Sequence, residues 1–207
     1  AASDVYKRQA LDALAPELVR GPVRQRLVDG ARRRYQTGLR RSLTAMRSAR
    51  YFRLLDALDG LVVTQAPAAL DDQPSASIAS SYRKVRKATK TARASEGAAH
   101  DDALHRIRKA AKRLRYVATA TGDAGVASRS KTIQTLLGDH QDSVVSQMHL
   151  MQQVDAAHAA GEDTFTYGVL YQQETAVAER CVAQLDVALK ALRRSVREAR
   201  RGGRVGL

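Results

Sequence analysis

The segment Leu104 to Ala120, LHRIRKAAKRLRYVATA, constrains the fold more than any other stretch of the chain. At about 100° per residue, with His105 as origin, Arg108, Lys109, Lys112 and Tyr116 fall within roughly 60° of it. Arg106, Arg113 and Arg115 flank that arc. Ile107, Ala110, Ala111, Leu114, Val117 and Ala118 take the other side. The period is that of a helix, not a strand, and the apolar half requires a packing partner. The opposite half offers a dense set of cations and a histidine to solvent or to a ligand.

Composition extends the helical reading to the rest of the chain. Aromatic residues make up only 4% and Trp is absent, while Ala, Leu, Arg and Gln abound, a mixture that favours helix over sheet. With 207 residues and 44% hydrophobic content, the chain is long and apolar enough to bury a core. The expected class is all-α, an antiparallel helical bundle. No apolar run approaches the roughly 20 residues that span a bilayer. No signal-peptide pattern opens the chain, so a cytoplasmic protein without a membrane partner is expected. Cys181 is the lone cysteine, and helical spacing groups it with Val177 and Leu185 as a small core residue.

Charge is distributed unevenly. The formal net charge is +14, and residues 83–115 alone hold 12 basic and 3 acidic groups. Residues 116–189 reverse the balance with 3 basic and 9 acidic, and 190–207 return to 7 against 1. Self-repulsion at such density costs stability, so it points to an anionic partner where acidic residues are not interleaved. In SSYRKVRKATKTAR the residues Arg83, Arg86, Lys90 and Arg93 make a second cationic line at spacings of three or four. If this helix packs antiparallel on the next, across the turn at Gly97, the two lines flank one groove. Arg supplies a planar fork that matches phosphate oxygens, Lys a movable point charge, and His a donor whose charge an anionic field favours. Tyr116 either donates its hydroxyl to an oxyanion or caps the edge of the core.

Breakers set the expected elements. A first helix ends over Ala10 to Leu14 before Pro16, and Gly21-Pro22 opens a long one to about Arg50. YFRLLDAL then runs to a stop at Gly60. APAALDDQPSAS, over residues 66–77, reads as a linker. Helices follow near Ile78 to Ala94, Asp101 to Thr121, Val126 to Leu137, His140 to Ala160 and Thr164 to Arg197, divided at Gly97, Gly122 to Gly125, Gly138 and Gly161.

Two motifs carry a family resemblance. HRIRKAAKRLRY followed by IQTLLGDHQD resembles the second-half signature of the CHAD domain, the conserved histidine α-helical domain. The matching positions are His105, Arg108, Lys112, Arg113, Leu114, Arg115 and Tyr116, then Gln134, Leu137, Gly138 and Asp142. Ile133 stands where Leu is usual. Further similarity covers PELVRGPVRQRL and RSARYFRLLDAL upstream and FTYGVLYQQE downstream. The resemblance implies two four-helix repeats related by a pseudo-twofold, with basic helices lining a groove for inorganic polyphosphate, no metal or cofactor, and no catalysis. On that basis the polyphosphate-binding set is His105, Arg108, Lys109, Lys112, Arg113, Arg115 and Tyr116, with Arg83, Arg86 and Lys90.

The sequence departs from the family pattern in one respect. All five His lie at position 100 or later, and no first-half copy of the basic motif precedes the linker. The Glu-x-Glu-x-Lys mark of the triphosphate-tunnel domain often fused to this family is also missing. The expected organisation is a non-native scar over 1–9, the remnant of a first repeat over 10–65, the linker, a complete second four-helix repeat over 78–200 and a tail over 201–207. The incomplete repeat would expose apolar surface and promote self-association. Association with polyphosphate granules is the implied setting.

Other constellations are weaker. Asp139, His140, Asp142 and His149 suggest metal ligands only loosely; after a stop at Gly138 they more simply cap a helix start. Asp101 and Asp102 suit a first helical turn. The tail ALRRSVREARRGGRVGL is either a fraying basic helix or an auxiliary anion contact. The alternative function is binding of nucleic acid, but that calls for aromatic stacking platforms or base-reading side chains, and the basic face offers only Tyr116.

Overall fold

The computed structural model describes residues 9–63 and 77–202. The scar assigned to 1–9, the linker at 66–77 and the tail at 201–207 lie outside the described residues, apart from Gln9, Ser77, Arg201 and Gly202. Among the described residues there are helices and turns and no strand, as the composition requires. A helical stretch ends at 9–12, a 3-10 turn covers Pro16–Leu18 and a π-helical turn covers Gln25–Asp29. The longer helices are α1 (Gly30–Met46), α2 (Ala49–Val63), α3 (Ile78–Arg93), α4 (Gly97–Ala120), α5 (Ala124–Ala159) and α6 (Phe165–Arg201).

Local chemistry fixes the ends of these helices. Ser77 and Ser80 cap α3 reciprocally, each hydroxyl accepting from the other's backbone N–H at 3.1 Å. Two glycines end helices in the left-handed region, Gly122 at φ 73° and Gly161 at φ 69°. After α4, the Asp123 N–H reaches Ala118 O at 2.8 Å and the Gly122 N–H reaches Thr119 O; after α5, Glu162 to Ala157 and Gly161 to His158 repeat the pattern. Both are Schellman closures, in which the glycine needs its positive φ. The Asp123 carboxylate then accepts from the Val126 N–H at 2.8 Å and starts α5.

Three sequence expectations need correction. The helices placed at Val126 to Leu137 and His140 to Ala160 are one continuous α5, because Gly138 sits inside the helix and does not stop it. The long helix expected from Pro22 to Arg50 is divided by the turn at Arg47 and Ser48, whose side-chain Oγ accepts from the Tyr51 N–H at 3.3 Å. YFRLLDAL continues past Gly60 to Val63.

The described residues form two units. One holds residues 77–149 and 171–202, the other 9–63 and 150–170, so Leu150 to Leu170 group with the N-terminal residues. Length explains this. Helices α5 and α6 have 36 and 37 residues, about 54 Å at 1.5 Å per residue, while α3 and α4 have 16 and 24. The shorter pair cannot cover the whole apolar length of the longer pair.

In the first unit α3, α4, the first part of α5 and the second part of α6 share one core. Ile78 and Val85 of α3, Ile107 and Leu114 of α4, Ile133 of α5 and Leu192 of α6 are buried in it. In the second unit Leu11, Leu14, Val23 and Leu27 cover Leu150, Ala157, Tyr167 and Leu170. Polar contacts tie the loop before α1 to the start of α6. Thr166 Oγ1 accepts from the Arg20 N–H at 2.7 Å and donates to Leu18 O at 2.8 Å. Arg26 grips Glu162 with both Nε and Nη2, at 2.5 and 2.7 Å.

Candidate polyanion-binding surface

Helix α4 is set by its buried stripe. Ala103, Leu104, Ile107, Ala111, Leu114 and Ala118 recur at three and four and are buried, which turns the cationic half outward. Arg106, Lys109, Lys112 and Arg113 are exposed, and His105 and Arg115 are half-buried. Tyr116 is 53% exposed. Arg115 lies 5.0 Å from its ring centroid and Lys112 5.9 Å, so two cations bracket the ring.

Arg108 behaves differently from its neighbours. The helical wheel sets it opposite the apolar stripe, yet its side chain packs over α5. A Cβ at Gly138 would lie 3.5 Å from Arg108 Nη2 and 3.6 Å from Nε. The guanidinium thus lies against the backbone at Gly138 at a distance where a methyl group would make ordinary contact, and glycine, a common helix stop, sits here inside a continuous helix. Arg108 Nε and, on the same pair of helices, Gln134 Oε1 are buried and have no hydrogen-bond partner among the described residues.

The start of α4 gathers polar groups. His100 Nδ1 contacts Ala92 O at 2.9 Å, tying this helix to the end of α3. His140 is buried, not a cap, and burial pushes its pKa below the ordinary 6.5; Asp101 opposes that shift and His100 adds to it. Near neutral pH its imidazole is therefore uncharged. The spacing of Ile133, Leu137 and His140 already placed this ring inward, a signal masked by the expected break at Gly138. Asp101 and Asp102 lie in the second turn of a helix that starts at Gly97. Among the described residues no group of three His, Cys, Asp or Glu is placed to hold a metal.

The expected residues do not all meet in one groove. Arg86 and Lys90 line a groove between α3 and α6, facing Lys190 and Arg193. Arg83 is exposed on α3 outside that lining. The cationic lines of α3 and α4 thus border different helix pairs, because α3 turns its basic side to α6. The α6 residues were open in the sequence, where the helix was expected to end near Arg197; it runs to Arg201.

Comparison with known proteins agrees with the motif reading. A family model described as CHAD domain matches residues 2–151. Two uncharacterized proteins of Mycobacterium tuberculosis, one from strain CDC 1551 / Oshkosh and one from strain ATCC 25618 / H37Rv, are each 63% identical over 202 residues. The alignment covers 95% of this chain and 39% of each relative, so the chain spans less than half the length of the proteins it matches. No solved structure matches it. No helix among the described residues is long and apolar enough to cross a membrane.

Proposed function

The chain belongs to the CHAD-domain family, and from that premise we propose that it binds inorganic polyphosphate, without catalysis, on the outward face of α4. The supporting observation is the bracket of Lys112 and Arg115 around an exposed Tyr116, one to two turns beyond an Arg108 held in place over Gly138. His105, Lys109 and Arg113 extend the same face, which repeats cations along the axis as a linear polymer repeats phosphates. Nucleic acid is the less favoured ligand, since Arg115 already sits over the Tyr116 ring where a base would stack. Binding of this polymer would place the protein at polyphosphate granules in the cytoplasm.

Competition between long-chain polyphosphate and single- or double-stranded DNA at equal phosphate concentration tests the reading. Neutralising about six phosphates would give a log-log salt slope near −4, by analogy with single-stranded nucleic acid. Lys112→Gln with Arg115→Gln should lower that slope by about 1.4 and leave the melting temperature unchanged. An affinity indifferent to salt, or a preference for DNA, would reject it.

We also propose self-association through α1 and α2. Tyr35, Leu39, Leu43 and Met46 form one exposed stripe on α1, and Phe52, Leu55 and Leu58 are exposed on α2. Contiguous apolar surface of this kind favours a second copy as its cover. Concentration-dependent light scattering tests it, and a monomer at all concentrations would rule it out.

A further inference from the structure

We infer that the groove between α3 and α6 is a docking site for an acidic amphipathic helix of another polypeptide. The inference is independent of the polyphosphate reading, and the α6 wall of the groove lies beyond the residues that the family model matches.

The floor of the groove is mostly carbon. Tyr82, Val85 and Thr89 of α3 and Leu189 of α6 line it. Val85 is buried in the core, and Tyr82 and Leu189 pack against that core while staying partly exposed. The Thr89 hydroxyl donates to Val85 O at 2.9 Å, so Thr89 brings the groove no free donor. Cations edge this floor on both sides: Arg86, Lys90 and Arg93 from α3, and Lys190 and Arg193 from α6, all exposed. One acid, Asp186, lines the groove, and Arg93 engages it at 2.9 Å. No carboxylate among the described residues forms an ion pair with the other cations of the lining.

An apolar floor between two cationic rims selects the partner. A phosphate chain has no carbon with which to cover Tyr82 and Leu189, so their remaining surface would stay wet. A fatty acid carries one carboxylate and engages one rim. An extended peptide needs a sheet edge to pair its backbone, and this groove is walled by helices. A helix satisfies its own backbone and can lie between two others with its ridge in their groove. The walls run antiparallel: Arg93 at the end of α3 meets Asp186, while Tyr82 near its start shares a recess with Arg193, Arg197 and Arg200 further along α6. From Tyr82 to Arg93 the α3 wall is about 17 Å long, room for about three helical turns. The volume of about 450 Å³ takes the apolar side chains on one stripe of such a segment, and Glu or Asp on its two flanks reach the rims. Docking would also relieve the repulsion between the two rims.

Fluorescence anisotropy of the full chain with a labelled peptide of about 14 residues tests this, the peptide carrying Leu at i, i+4, i+7 and i+11 and Glu on both flanks. A shuffled peptide of the same composition, its leucines scattered round the helix, is the control. The patterned peptide should bind at least about tenfold more tightly than the shuffled one and gain helical circular dichroism when bound. Lys190→Glu with Arg193→Glu, both at exposed positions, should weaken it by about tenfold or more without lowering the melting temperature. Lys112→Gln with Arg115→Gln should leave peptide affinity unaltered, so the groove and the α4 reading stand or fall separately. Equal binding of the two peptides would mean that charge alone acts and would overturn the docking site, even if the rim variant fails to fold. Peptide binding that survives the rim changes would belong to another surface and overturn it as well. Displacement of the peptide by tripolyphosphate at equal negative charge, or binding of anionic phospholipid vesicles through Lys190 and Arg193 in its place, would overturn the class of partner.

Discussion

Helices α4 and α1 begin from similar material and reach different ends. Both are amphipathic and Arg-rich, with apolar residues repeating at helical intervals. Helix α4 buries six of them, Leu114 completely. Helix α1 leaves Leu39 and Leu43 each 44% exposed. The difference lies in the neighbours. Helix α4 shares a core with α3, α5 and α6, whereas no described residue covers the stripe of α1. An apolar stripe specifies a demand for burial and does not by itself supply the surface that meets it.

The sharpest test is truncation of one leucine in each helix. Leu114→Ala should cost about 2–5 kcal/mol by urea unfolding, through lost burial and the cavity left behind. Leu39→Ala should change stability by less than about 0.5 kcal/mol. Equal losses would mean that the α1 stripe is covered in solution. A smaller effect is expected at the start of α5, where Asp123→Ala removes the acceptor for the Val126 N–H and should cost about 1 kcal/mol. Gly138→Ala should stabilise by up to about 1 kcal/mol, because the added Cβ makes ordinary contact with Arg108 and glycine is the weaker helix former. Gly138→Val should instead displace the guanidinium and reduce polyphosphate affinity.

Acid separates the two units by the pH at which each responds. His140 has a folded pKa below 6.5, so the unfolded chain binds the proton more readily and stability falls as pH drops below about 6.5. Glu162 is held below 4.5, first by its hydrogen bond to Arg26, so its contribution is complete above 4.5 and is lost as pH falls through the lowered value. Amide exchange should therefore rise around His140 at mildly acid pH, while residues near Arg26 and Glu162 respond only in stronger acid. His140→Gln should abolish the first response, and both regions changing in one step would refute the distinction.

Much of this architecture was legible in the sequence. The buried stripe of α4, the glycine closures at Gly122 and Gly161 and the break near Gly97 follow from periodicity and from the needs of chain reversal. The errors at Gly60 and Gly138 share one cause: glycine is common at helix stops, yet both positions lie inside continuous helices, and residue type alone does not tell the two cases apart. The break at Arg47 and Ser48 carries no glycine or proline to announce it. The two cationic lines were visible, yet their pairing was not, since which helix faces α3 depends on packing across about a hundred residues of chain. For the same reason the basic row of α6 could be read only as a tail.

Arg108 has a further consequence, an entropic one. An arginine on an open helix face samples many rotamers, and fixing such a side chain on binding costs roughly 0.5–1.5 kcal/mol. Arg108, packed over Gly138, has already lost much of that freedom when the helices come together. The exposed Lys109 beside it keeps its freedom until a ligand arrives. Two adjacent cations of equal charge are therefore unequal as ligand contacts, one preorganised by folding and the other ordered only by binding.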